Sequence, residues 1–182
     1  MAARGDRVVA IDRCASMVRE AAVLARARGL DLAFGVMDAR ALAFADGTFD
    51  IALLLGSTIS YVPGRDGRIR VLRQACRVLK PGGKLLVETQ SRAFSRSFRT
   101  FFKAMAWGDR LLRGLGRASA WELGDRVGIK VSAARSAAPV YFHMYEPAEL
   151  ESDLAVAGLV PTVDDTSLYL MHYVGTRPRH RR

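Results

Sequence analysis

The chain has 182 residues, half of them hydrophobic, and a formal net charge of +10 at neutral pH. That length suits one domain with its own core, and the apolar content excludes a disordered chain. No apolar run reaches bilayer-spanning length, and the N-terminus MAARGDRVV lacks the apolar core of a secretory signal.

A soluble, cytoplasmic protein is therefore expected. Cys14 and Cys76 make neither a metal-ligand spacing nor a disulfide framework, so both are read as free thiols and no metal is expected. The positive excess is almost all arginine, scattered through both halves of the chain. Dispersed arginine reads as compositional bias rather than a nucleic-acid footprint. The one dense basic cluster is the tail RPRHRR.

In chain order, MAARG (1–5) reads as the last turn of a helix stopped by glycine. RVVAID (7–12) is a short β-branched run ending in a carboxylate, the pattern of a buried parallel strand. A helix is predicted over 16–28, with Met17, Ala21, Val23 and Leu24 at helical spacing and Gly29 as its stop. The next strand, near 32–36, runs into Met37-Asp38-Ala39. After the turn signal Asp46-Gly47 comes FDIALLL (49–55), the most apolar run and an expected central strand. It stops at Gly56-Ser57, where a missing side chain lets a ligand approach the backbone. A helix over 66–79 turns Ile69, Leu72, Ala75, Cys76 and Leu79 inward; Pro81-Gly82-Gly83 makes a turn, and 84–88 is a strand. Strands alternating with helices of this length imply parallel βαβ units.

From 91 to 117 the pattern changes. Phe94, Phe98, Phe101, Phe102, Met105 and Leu112 share one helical face, and Arg96, Arg99, Lys103 and Arg110 the other. A lid over a pocket, a membrane-surface helix and a helix packed on the core all fit this pattern. Two β-prone runs, GIKVSA and PVYFHMY, follow, and Pro147 opens a helix with acidic residues in its first turns. Segments 160–163 and 167–175 close the chain as strands able to pair as a hairpin beside the parallel sheet.

Ligands of open α/β sheets sit beyond the carboxyl ends of the strands. Asp12 at such an end is placed to accept hydrogen bonds from two ribose hydroxyls. It is equally suited to capping the helix that follows.

Taken together, Asp12, Asp38, the strand-end glycine and the strand order resemble the class I S-adenosylmethionine-dependent methyltransferases of the small-molecule type. The resemblance runs from 7 to 177. It is most specific in FDIALLLGSTISYV, in IRVLRQACRVLKPGGKLLVET and in YFHMYEPAELESDLAVAGL. It implies a Rossmann-like α/β fold: a mostly parallel sheet with helices on both faces, a helical insertion after the 84–88 strand, and a C-terminal antiparallel strand pair. Residues 1–176 are then one domain, with 91–137 as an insertion or cap and 177–182 as a basic tail. The cofactor implied is S-adenosyl-L-methionine, with Asp12 on the ribose, Met17 against the adenine, and Asp38 and Ala39 at the ring edge. Gly56 and Ser57 then border its methionine end. The implied reaction is direct methyl transfer to a small-molecule acceptor, with Tyr61, Tyr141 and His143 as candidate substrate residues. No catalytic residue is assigned.

The family's first strand and its Gly-rich loop should precede Arg7 by about twenty residues, and only six residues stand there. A misplaced start or a truncated product is the expectation. A degenerate, non-catalytic interaction module and an RNA-associated basic protein are the alternatives. No membrane partner is expected.

Overall fold

Residues 5–116, 122–131, 137–165 and 170–179 are described by the computed structural model. The helix turn expected at 1–4 and the end of the basic tail, 180–182, lie outside them. The chain divides into two compact units, Met1–Ala45 and Asp46–Arg182.

The first unit is one βαβ element. Strand β1 (Val8–Asp12) leads into helix α1 (Ala15–Ala27) and returns as β2 (Leu32–Val36). The two strands pair in parallel, from Val8 opposite Leu32 to Asp12 opposite Val36. Gly29 stops α1 as expected: with φ at +62° it lets its own N–H reach Arg26 O and Leu30 N–H reach Ala25 O.

The second unit is built on a four-stranded sheet of order β3-β4-β8-β7. Strand β3 (Phe49–Leu54), helix α2 (Arg65–Val78) and strand β4 (Leu79–Gln90) form a second parallel crossover. Helix α3 (Arg96–Gly114) precedes a separate antiparallel hairpin of β5 (Asp125–Val131) and β6 (Ala137–His143). Helix α4 (Pro147–Val156) then leads to β7 (Val160–Asp165) and β8 (Leu170–Thr176). These last strands pair with each other, and β8 lies antiparallel on β4, so the expected C-terminal hairpin beside the parallel strands is present. The core of this unit is fully buried Leu72, Leu85, Val87, Leu150, Leu154, Met171 and Tyr173.

Two details depart from the sequence reading. Pro81-Gly82-Gly83 is not a turn between elements. It is a bulge inside β4, where pairing jumps from Leu79–Phe49 to Lys84–Ile51. The C-terminal chain holds it there: Gly82 N–H donates to Arg177 O, and Arg177 N–H donates to Gly83 O. Nor is β3 central. Its one strand partner among the described residues is β4, and Ile51 and Leu53 remain 48% and 41% exposed. Likewise β1 has a single partner among the described residues, β2. An apolar run marks a strand meant for burial, but which neighbours complete a sheet is decided by strands far away in sequence.

Candidate cofactor and acceptor site

Strand β1 ends in Asp12, and the chain leaving β2 passes beside it: Met37 N–H donates to Asp12 O at 3.0 Å. Asp38 therefore stands at the neighbouring strand tip. The two carboxylates behave alike locally. Asp12 Oδ1 accepts Cys14 N–H at 2.7 Å, and Asp38 Oδ1 accepts Arg40 N–H at 2.8 Å. Both are turns closed by an Asp side chain on the backbone two residues ahead.

Asp12 is thus not the N-cap of α1; Cys14 holds that position. Its Oδ2 has no protein partner among the described residues and lies on an exposed residue at the strand end. Asp38 is more engaged. Arg40 Nη2 lies 2.6 Å from Oδ2 and Nε lies 3.0 Å from the same oxygen. That guanidinium, with the Arg40 N–H, holds the Asp38 carboxyl down at about 2. Ala39 follows half-buried, and Met17 on the first turns of α1 is 53% exposed. The first unit thus exposes a carboxylate oxygen at Asp12 and an apolar side chain at Met17.

In the second unit, β3 gives way to a strained turn. Gly56 has φ +63°, and Ser57 follows in the left-handed region at φ 58°, ψ 27°. Such a conformation costs a non-glycine residue about 1–2 kcal/mol and persists only when its surroundings impose it. Three contacts do so. Gly56 N–H donates to Glu88 Oε1 at 2.9 Å, Thr58 Oγ1 donates to Leu55 O at 2.6 Å, and Ser60 Oγ lies 2.6 Å from Thr89 Oγ1. Ser57 and Ser60 are buried, and Tyr61 ends the short 3-10 turn Thr58–Tyr61 partly exposed.

Tyr141 and His143 enter a different environment. On β6, opposite β5, both point at Asp125: Tyr141 OH donates to Asp125 Oδ1 at 2.6 Å, and His143 Nδ1 lies 2.7 Å from the same oxygen. The second ring nitrogen of His143 is 2.9 Å from Glu149 Oε1 on α4. The fully buried ring is thus held between two carboxylates, one at each nitrogen. Arg92 Nη1 binds Glu149 Oε2 at 2.5 Å, and buried Arg68 binds Glu122 Oε2 at 2.6 Å. Burial pushes the Glu149 carboxyl up, but the His143 hydrogen bond and charge, with Arg92, outweigh it and bring it down to about 2. Burial and the Asp125 hydrogen bond raise the Tyr141 phenol. Glu122, His143 and Glu149 bring ligand-type atoms within 4.8 Å of one another, yet the histidine nitrogens and the arginines already complete this group as a charge network.

The structure thus sets Asp12 beside the chain leaving β2, where Asp38 and Ala39 follow, with Met17 exposed on α1 of the same unit, and puts Gly56, Ser57 and Tyr61 at one strand end of the second. Tyr141 and His143 form a buried clamp with Asp125 and Glu149. Sequence reasoning missed Arg40, Glu88, Asp125 and Glu149. Only Glu149 had a local signal, as the third residue of a capping box opened by Glu146.

A family model described as a methyltransferase domain matches residues 1–83. The ubiquinone/menaquinone biosynthesis C-methyltransferase of Bdellovibrio bacteriovorus is 35% identical over 81 residues, 44% of this chain and 32% of that protein. The match therefore spans about a third of the curated relative. Among solved structures, an S-adenosylmethionine-dependent methyltransferase of Methanosarcina mazei aligns with TM-score 0.73 at 21% identity, over 98% of this chain and 85% of that one. The methyltransferase CcbJ of Streptomyces caelestis aligns with TM-score 0.70 at 18% identity, covering 97% and 77%. The 1,6-didemethyltoxoflavin-N1-methyltransferase of Burkholderia thailandensis, solved with bound 1,6-didemethyltoxoflavin and S-adenosylhomocysteine, aligns with TM-score 0.60 at 17% identity, covering 97% and 63%. The comparisons thus give a methyltransferase-domain match over residues 1–83 and a fold shared along nearly the whole length with S-adenosylmethionine-dependent methyltransferases.

Proposed function

We propose that the chain binds S-adenosylmethionine and transfers its methyl group to a small-molecule acceptor. The observation that carries this reading is the pair of carboxylates, Asp12 and Asp38, at the tips of adjacent parallel strands. In this reading the free Oδ2 of Asp12 accepts from the ribose hydroxyls, and Asp38 with the Ala39 N–H meets the edge of the adenine. Exposed Met17 covers the ring face. Gly56 and Ser57 border the methionine end.

The cofactor supplies an already activated methyl electrophile. The protein's own work is to hold donor and acceptor in line and to exclude water. Tyr61 lies just beyond the strained turn and is the residue proposed nearest the acceptor. The phenol of Tyr141 and the ring of His143 are committed to Asp125 and Glu149, so their role is to fix the β5–β6 hairpin rather than to take a proton from the acceptor. Acceptor choice is assigned to α3 and the hairpin, whose exposed side chains include Phe101, Trp107, Val127 and Ile129. The 1,6-didemethyltoxoflavin bound in one of the similar structures supports the small-molecule class.

Isothermal titration with S-adenosylmethionine and S-adenosylhomocysteine tests the reading. Saturable heat with the natural chain, lost on Asp12→Ala, is expected. Absence of heat, or heat indifferent to Asp12, would sink it and favour a non-catalytic interaction module.

A further inference from the structure

We infer that Glu88 is a positioning residue, which sets the Gly56–Ser57 turn through the reach of its side chain. The inference rests on the reading that this turn borders the cofactor.

Parallel β3 and β4 run side by side, with Leu54 opposite Val87, so Glu88 is the next residue beyond the last paired position. Its two oxygens divide their partners. Oε1 takes the Gly56 N–H at 2.9 Å, and Oε2 faces His172 Nε2 on β8 at 3.4 Å. Glu88 pairs across the antiparallel ladder with His172, so the carboxylate is gripped from β8 while it reaches over to β3.

The turn needs such an anchor. Gly56 and Ser57 occupy the left-handed region in succession, and Ser57 does so with a side chain and nearly full burial. Left alone, an L-residue leaves that conformation. The hydroxyl contact of Ser60 with Thr89 pins the far side of the turn to β4. On the near side, Glu88 is the side chain that holds the first residue. A backbone donor bonded to a carboxylate is a strong, directional tether. The same tether fixes which way the Gly56 carbonyl and the Ser57 N–H are presented at the strand end.

What matters is therefore length more than charge. Glu88→Gln keeps an oxygen at the same reach, whereas Glu88→Asp keeps the charge but falls one methylene short of Gly56. Amide hydrogen exchange at Gly56–Thr58, followed beside titration with S-adenosylmethionine, separates these. Glu88→Asp and Glu88→Ala should raise exchange at the turn about tenfold or more, with Leu53 and Val87 unchanged, and weaken cofactor binding about tenfold. Glu88→Gln should keep both within about threefold of the natural chain. Protection unchanged in Glu88→Asp and Glu88→Ala, or Gln behaving as badly as Asp, overturns the assignment. If the natural chain binds no cofactor, the exchange measurement still decides the tether, and only the cofactor reading falls.

Discussion

Arg40 grips both oxygens of Asp38, with Nη2 2.6 Å from Oδ2 and the Arg40 N–H 2.8 Å from Oδ1. The carboxylate proposed to meet the adenine is therefore already partnered by an exposed cation. An exposed pair of this kind is weakened by water and salt, and contributes little beside a hydrogen bond formed in a closed site. A ligand amino group can thus share or displace the arginine. Asp38→Ala is expected to weaken S-adenosylmethionine binding about tenfold or more. Arg40→Ala should leave it unchanged or tighter. Calorimetry on both variants checks the assignment: a loss confined to Arg40→Ala would show that the arginine, not Asp38, meets the ligand.

Asp12 does two jobs that substitutions can part. Oδ1 closes the turn onto Cys14, and Oδ2, without a protein partner among the described residues, is the oxygen proposed to meet the ribose. Asp12→Asn keeps an acceptor for Cys14 and should preserve the thermal midpoint within about 0.5 kcal/mol of stability while weakening cofactor binding about tenfold. Asp12→Ala should cost both, with about 1 kcal/mol of stability. Equal cofactor affinity across the three chains would remove Asp12 from the site.

The buried clamp predicts a pH dependence with a definite sign. Glu149 titrates near 4.5 when unperturbed and is held down to about 2 in the fold. A carboxyl with a depressed folded value stabilises the protein above its unfolded value and loses that contribution as pH falls from about 4.5 toward 2. At most about 3 kcal/mol is at stake. Urea midpoints at pH 7 and pH 3 should differ more for the natural chain than for Glu149→Gln. An identical pH dependence in both chains would show that this carboxylate is not the group responsible.

Gly124 sits where the hairpin closes onto the clamp. Its carbonyl accepts Met144 N–H at 2.9 Å, and a Cβ there would run into Met144 O and stand 2.5 Å from His143 Cε1. No flexible side-chain end can give way, because the obstacle is backbone and a doubly bonded ring. Gly124→Ala is expected to destabilise by about 1–3 kcal/mol and to weaken the Asp125–His143 contact. Chemical denaturation measures the first, and the His143 ring resonances report the second. A neutral substitution would mean that Gly124 packs less tightly on His143 and Met144 than these distances state.

Much of this molecule is legible in its order of residues, because strands and helices announce themselves through local spacing. The apolar run before Asp12, the glycine after α1 and the Pro147 start of α4 each act within a few positions. A chain segment adopts them with little help from afar. The acidic strand ends are legible for the same reason: Asp12 closes β1, and Asp38 stands two residues past β2. What the tertiary structure decided is who meets whom across long separations. Glu88 reaching Gly56, Arg68 buried against Glu122, and His143 lodged between Asp125 and Glu149 depend on sheet register and hairpin docking. Neither leaves a mark in local periodicity. The edge position of β3 and the bulge at Gly82 have the same origin, since hydrogen bonds between strands are assigned by three-dimensional neighbours and not by the residues that flank them in the chain.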